Sequence, residues 1–181
     1  MTNLKQYLIA DSGGTKTDWC FVNSEGMRSY FTTESYHPAN WSKDFFSRVK
    51  HFWEEKIKMT KAELFFFGAG CLKDEKSKEL EEVFRSIGFN YVTVKSDLHA
   101  AGIAALGSND GSVAIMGTGS VLFNWNKSEV HNIVGGKGHE IGDEGSGYYF
   151  GKIVNEAYLK DEMSEEQRAI FSRINRTKIH G

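Results

Sequence analysis

Two glycine turns and one isolated aspartate are the residues in this chain whose types and spacing suit chemistry. The first turn is Asp11-Ser12-Gly13-Gly14-Thr15-Lys16-Thr17-Asp18, entered from the apolar run Tyr7–Ala10 and left through Trp19–Val22. The second is Gly117-Thr118-Gly119-Ser120, set between Val113–Met116 and Val121–Trp125. Each reads as strand, tight turn, strand. Such turns expose backbone N–H groups to an anion, and neighbouring hydroxyls add donors. Two of them facing each other would clamp a polyphosphate. The first turn is not a Walker loop, because its spacing to Lys and Ser/Thr is wrong, and not a dinucleotide fingerprint, because a strand follows it. Asp11 has two readings: it caps the turn, or it tethers a hydrated Mg²⁺, which keeps most of its waters and needs only one or two carboxylates. "GTGS" alone is equally an ordinary hairpin turn.

Asp97 opens a helix directly after a strand. An N-cap is one reading. The other is a general base that takes the proton of a hydroxyl attacking a phosphorus, which needs a carboxylate within hydrogen-bond reach. His139 lies in a glycine-rich loop with no second His or Cys at ligand spacing, so it reads as a structural hydrogen-bonder and not a metal ligand. Phe65–Phe67 read as a buried strand. Lys73–Glu82 read as a solvated helix face with i,i+4 pairing.

The elements that must position these residues alternate. Strands fit Tyr7–Ala10, Thr17–Val22 and Met27–Thr32, with turns at Ser12–Gly14 and Asn23–Gly26. A helix fits Ser42–Lys58, capped by Ser42, with Phe45, Phe46, Val49, Phe52, Trp53 and Ile57 at three- and four-residue spacing. "ELFFFGAG" is a strand. Glu75–Ile87 is a helix stopped by Gly88, Tyr91–Lys95 a strand and Asp97–Leu106 a helix. Gly107–Gly111 is the best linker. Strands restart at Ser112–Met116, Val121–Trp125 and Val130–Val134. A glycine loop at Gly135–Gly147 and a helix at Tyr148–Leu159 follow. Ser164–His180 reads as a polar, weakly patterned tail. This order predicts an α/β layer in which a hairpin sheet is extended by parallel strands with crossover helices. The restart is a second, incomplete copy, with domains over 1–107 and 108–181.

Composition narrows the class. The 181 residues are 40% hydrophobic and 25% charged, with a formal net charge of -2. These are globular values without a basic footprint for nucleic acid. Cys20 and Cys71 form neither a disulfide framework nor a metal cluster, which points to the reducing cytoplasm. The N-terminus lacks a signal-peptide core, and no apolar run is long enough to span a membrane.

Four segments, "DSGGTKTD", "SDLHAAGIAALG", "IMGTGS" and "GGKGHEIGDEGSGYYFGK", stand in an order and spacing that resemble the N-acetylglucosamine kinase family of the actin/Hsp70/hexokinase superfamily. The resemblance covers roughly Leu4 to Tyr158. It implies a ribonuclease H-like mixed sheet of actin/hexokinase type, with the second such domain incomplete. It implies an ATP-dependent kinase acting on a hydroxyl of an amino sugar, N-acetylglucosamine or glucosamine, with Mg²⁺. On that basis Ser12, Gly13, Gly14, Thr15, Lys16 and Thr17 form the first phosphate loop, and Gly117, Thr118 and Gly119 the second. The N–H groups of Gly117 and Gly119 would face the β- and γ-phosphates. Asp11 holds Mg²⁺ through water and Asp97 is the catalytic base. Asn40, Ser120, Gly135, Gly136 and Asp143 join Asp97 in contacting the sugar. Taken alone, Asn40 is equally a turn residue, and Asp143 with Glu144 could cap the helix at Tyr148. Lys137 departs from the pattern, since better-known animal members carry tryptophan there. Losing that aromatic wall loosens the N-acetyl preference.

No segment after Asp143 resembles the family's adenosine site. The expectation is a piece of a longer protein, with a non-catalytic sugar-binding protein or an inactive fragment as the alternative. The 181 residues alone are expected to lack kinase competence. They are also expected to leave Val113, Ile115, Val121 and Phe123 poorly buried, favouring homodimers or aggregates. The related activator ATPases with an intersubunit iron–sulfur cluster need cysteines in bridging helices, which Cys20 and Cys71 do not supply.

Overall fold

The computed structural model describes residues 5–56, 62–138 and 142–177. Two compact units divide it: residues 1–110 with 125–130, and residues 111–124 with 131–181. The division falls three residues beyond the expected boundary, and the first unit also takes in residues 125–130.

In the first unit, strands β1 (Gln6–Ser12), β2 (Lys16–Val22) and β3 (Arg28–Glu34) form an antiparallel meander. Strands β4 (Ala62–Gly68) and β5 (Tyr91–Ser96) extend it in parallel, giving the order β3-β2-β1-β4-β5. The connections explain this choice. The five-residue connection Asn23–Met27 is short enough only to return a strand antiparallel, whereas the helices α1 (Lys43–Lys56) and α2 (Asp74–Ile87) are long enough to carry the chain back for parallel pairing. Helix α3 (Asp97–Leu106) follows β5 without a gap.

Helix α1 starts where expected, with Ser42 Oγ accepting the Phe45 N–H at 3.1 Å. Phe45, Val49 and Trp53 recur every fourth residue and are buried. Helix α2 buries Leu80, Phe84 and Ile87, and ends on Gly88 at φ 119°. There the Phe89 N–H returns to Phe84 O, closing a left-handed C-terminal cap. Alternation along β4 buries Leu64 and Phe66 but leaves Phe65 and Phe67 half-covered, so the aromatic run is only partly core. Trp19 lies at the centre of the core, edge-on to Trp53 (4.8 Å), Tyr36 and Phe84. The Tyr36 hydroxyl accepts the Trp53 indole N–H at 3.1 Å, and burial pushes its pKa up to about 12.

Strands β6 (Gly111–Met116), β7 (Ser120–Asn126) and β8 (Glu129–Gly135) form a second sheet in that order, which belongs to the second unit except at residues 125–130, and α4 (Gly147–Leu159) and α5 (Glu165–Thr177) follow. The apolar exposure differs from expectation. Val113 and Phe123 are buried, whereas Met116, Leu122, Ile133 and Val134 are exposed. Strand alternation puts Phe123 and Leu122 of β7 on opposite faces, of which the one carrying Phe123 is covered, whereas β8 exposes Ile133 and Val134 in succession. The supposed tail is a helix. Ser164 and Gln167 form a reciprocal cap, with the Gln167 N–H donating to Ser164 Oγ and the Ser164 N–H to Gln167 Oε1. No described helix is long and apolar enough to cross a membrane.

Candidate active site

Strand register sets the first half of the site. Ser12 pairs with Gly68 and Gly68 with Ser96, so the parallel strands β1, β4 and β5 end in one row. Ligands of open α/β sheets bind beyond such carboxyl ends. Asp11 lies one residue before that row and Asp97 one residue after it. The Asp11 carboxylate is exposed and takes no side-chain partner among the described residues.

Asp97 is half-buried and is the first residue of α3. Ser96 holds the cap position, so the capping reading of Asp97 does not hold. Its Oδ1 instead accepts the N–H of Leu98 at 3.0 Å. Burial raises the Asp97 pKa above the usual carboxylate value, and the Asp11 charge adds to this. The Leu98 N–H and the nearby His37 pull the other way. Cys71, beside the same end of β4, is buried, and its thiol is pushed up to about 11 by burial and by the Asp97 charge. It is thereby kept unreactive.

The first glycine loop divides its residues between structure and surface. Ser12 and Thr17 are buried, with their hydroxyl oxygens 2.7 Å apart, and both accept the N–H of Tyr36. Their hydroxyls are therefore turned inward, and the surface offered to an anion is Gly13–Lys16. The Gly13 N–H closes the turn on Lys16 O at 3.0 Å, and Ser35 Oγ donates to Gly13 O at 2.6 Å. Lys16 is exposed and pairs with Asp18 at 2.6 Å. A Cβ added at Gly14 would meet nothing within 4 Å, and Gly14 has no positive φ. Neither packing nor backbone strain requires glycine there, which fits space kept for a bound group.

Asn40 ends a short 3₁₀ helix, Pro38–Asn40, and its Nδ2 donates to Ser35 O at 3.3 Å. Sequence reasoning passed over its neighbour His37. The His37 Nδ1 accepts the Ala39 N–H at 3.1 Å, which leaves the ring proton on Nε2 when the ring is neutral. Ser35, which ties the first loop to this helix, was equally unmarked; its only signal was a small polar residue just before "YHPAN".

The second unit gathers the other predicted residues. The Gly117 N–H closes the β6–β7 turn on Gly119 O at 2.9 Å, so it is spent within the turn and does not face a phosphate. A Cβ at Gly117 would again meet nothing within 4 Å. Thr118 is exposed. Ser120 is a hub. Its N–H donates to Asp143 Oδ1 at 3.3 Å, its hydroxyl to Glu144 O at 2.8 Å, and its carbonyl accepts the Gly136 N–H at 2.8 Å. Gly135 and Gly136 have φ of 81° and 65°, a region open to glycine. Asp143 is buried and also left-handed at φ 62°, a strained state for a side-chain-bearing residue. Neither Asp143 nor Glu144 caps α4. Ser146 does, with Oγ accepting the Tyr149 N–H at 3.0 Å. Lys137 is exposed, and His139 lies outside the described residues.

No family model matches the sequence. The N-acetylmuramic acid/N-acetylglucosamine kinase of Clostridium acetobutylicum is 37% identical over 104 residues, 57% of this chain and 34% of that protein. A solved structure from Porphyromonas gingivalis, described as a candidate N-acetylglucosamine kinase, has 30% identity and a TM-score of 0.79 over 93% of this chain and 62% of its own. MreB5 of Spiroplasma citri bound to ADP, 11% identical with a TM-score of 0.51 over 92% of this chain and 60% of its own, shares the fold alone. The chain therefore spans less than two-thirds of each of these relatives. The fold is of the actin/hexokinase type. Within that class, the sequence is similar to the N-acetylglucosamine kinases.

Proposed function

We propose that the protein carrying this chain transfers the γ-phosphoryl group of ATP to a hydroxyl of an amino sugar, N-acetylglucosamine or glucosamine. The observation that carries the reading is Asp97, a half-buried carboxyl of raised pKa just beyond the ends of three parallel strands. Asp97 takes the proton of the acceptor hydroxyl as that oxygen bonds to phosphorus and the bond to the leaving diphosphate breaks. A raised pKa suits a base working near neutral pH. Asp11 would hold a hydrated Mg²⁺, which would supply charge neutralisation at the phosphates. The open space at Gly14 and the unpartnered carboxylate of Asp11 fit that group. Gly13–Lys16 and Thr118 bind phosphate oxygens. Asn40, Ser120, Gly135, Gly136 and Asp143 bind the sugar.

The test is a phosphorylation assay on the product of the whole reading frame with Mg-ATP and N-acetylglucosamine, glucosamine or N-acetylmuramic acid. Phosphorylation of an amino sugar is expected. Calorimetric sugar binding without phosphorylation would instead favour a non-catalytic sugar-binding protein.

A further inference from the structure

Serine is among the best helix N-caps, yet Ser96, at the cap position of α3, makes no capping bond. Its buried hydroxyl lies 2.9 Å from His99 Nδ1. His99 Nε2 lies 3.1 Å from Glu129 Oε2, and Glu129 Oε1 lies 3.2 Å from Lys95 Nζ. Trp125 stands edge-on to the imidazole at 6.0 Å, and its indole N–H donates to Gly107 O at the far end of α3. All these residues belong to the first unit.

The chain of bonds has a direction. A carboxylate accepts, so in the neutral ring Glu129 places the His99 proton on Nε2, which leaves Nδ1 to accept the Ser96 hydroxyl proton. The hydrogen bond from His99 holds the Glu129 pKa below its usual value, as expected of a carboxylate engaged in its charged form. An N-cap side chain ordinarily accepts from the second or third helical N–H, here Leu98 or His99. The Leu98 N–H is the one that holds Asp97 Oδ1. A Ser96 side chain that capped through the Leu98 N–H would take the donor that now holds Asp97, and Ser96 is instead engaged with His99.

We propose that Glu129 and His99 are positioning residues for Asp97, acting by drawing the Ser96 hydroxyl off the N-terminus of α3. With Ser96 engaged, the Leu98 N–H fixes one oxygen of Asp97 and leaves the other for the acceptor hydroxyl. This rests on the reading of Asp97 as the base. Without the relay, Ser96 returns to the cap, and Asp97 loses both its pin and a hydrogen bond to its charged form.

The relay is tested by ¹³C NMR titration of the Asp97 carboxyl together with turnover. Glu129→Ala is expected to raise the Asp97 pKa further and to lower kcat about 10- to 100-fold through misplacement, with the sugar KM little changed. Adding Ser96→Ala is expected to restore both, because no hydroxyl then competes. Glu129→Gln, whose carboxamide oxygen still accepts from His99 Nε2, should stay near the parent. If Glu129→Ala does not fold, His99→Phe keeps a ring against Trp125 and removes the acceptor, so the same rescue by Ser96→Ala applies. An unmoved Asp97 titration, or a double variant no better than the single one, overturns the proposal. The titration needs no kinase activity. A relay-dependent pKa in a protein that phosphorylates no sugar would overturn the proposed function and leave the relay standing.

Discussion

A Cβ added at Gly119 would stand 3.0 Å from Asp143 Oδ2, across 24 residues of sequence. Asp143 has little room to give, since it is buried, left-handed, and tied through Oδ1 to the Ser120 N–H and through its carbonyl to the Ser146 N–H. Gly119→Ala should therefore destabilise the protein by about 1 kcal/mol, within the range for overpacking, and weaken sugar binding. Thermal melts and calorimetry with the amino sugar check this. Undiminished sugar binding in a destabilised variant would take Asp143 out of the sugar site.

Gly14 and Gly117 give the opposite expectation. Alanine at either meets no atom and needs no unusual φ. Losing glycine's freedom in the unfolded chain should hold or raise stability, by up to about 1 kcal/mol. If the space belongs to phosphate, ATP should nonetheless bind about tenfold more weakly, a cost of about 1.4 kcal/mol. A variant that melts no lower and binds Mg-ATP as well as the parent would return both turns to an ordinary structural role.

Much of the scaffold was legible because local signals agreed with it. Helix α3 was expected over its observed span, since an aspartate after a strand, an alanine-rich run and Gly107 all mark the same limits. Helix α5 was missed because its composition is polar, although the spacing of Ile170 and Ile174 and the Ser164–Gln167 cap were there to read. The candidate site was legible as residue types but not as partners. Ser12 and Thr17 looked like phosphate ligands. Their inward turn depends on Tyr36, at least 19 residues away in sequence. The His99–Glu129 contact spans 30 residues and has no local signature.

Asp97→Asn separates stability from catalysis. The folded-state pKa of Asp97 is raised, so its favourable contribution is complete below the unfolded pKa and is lost as pH rises through the folded value. Asparagine can still accept the Leu98 N–H and buries no charge. The variant should therefore match the parent in acid and equal or exceed it in stability at neutral pH. Its turnover should fall by about 10²–10⁴, the usual worth of a general base. Denaturant titrations across that pH range, paired with kcat, decide it. A loss below tenfold would leave Asp97 with a purely structural role.

Asp11→Asn tests two consequences of one charge. Asp11 helps to raise the pKa of Asp97, so its removal should lower that pKa and move the acid limb of the pH–rate profile to lower pH. If Asp11 also tethers Mg²⁺, turnover should require more Mg²⁺ while sugar affinity stays unchanged. A shifted acid limb with an unaltered Mg²⁺ requirement would retain the electrostatic pair and remove the metal assignment.

Thr17→Val asks whether the buried hydroxyls of the first loop serve structure alone. Thr17 is fully buried, and its hydroxyl lies 2.7 Å from that of Ser12 and 3.3 Å from the Tyr36 nitrogen, whose N–H it accepts. Valine keeps the shape and removes the oxygen. Ser12 Oγ remains as an acceptor for the Tyr36 N–H at 3.2 Å, so the amide is not orphaned, but the Ser12 hydroxyl loses its partner. The expected cost is about 1–3 kcal/mol, that of an unsatisfied buried polar group. Because the Thr17 oxygen faces the core and not the loop surface, Mg-ATP affinity measured well below the melting temperature should not change. Nucleotide binding that falls in a variant of parental stability would place the Thr17 hydroxyl on the phosphates and overturn the division of the loop into an inward pair and an outward Gly13–Lys16 surface.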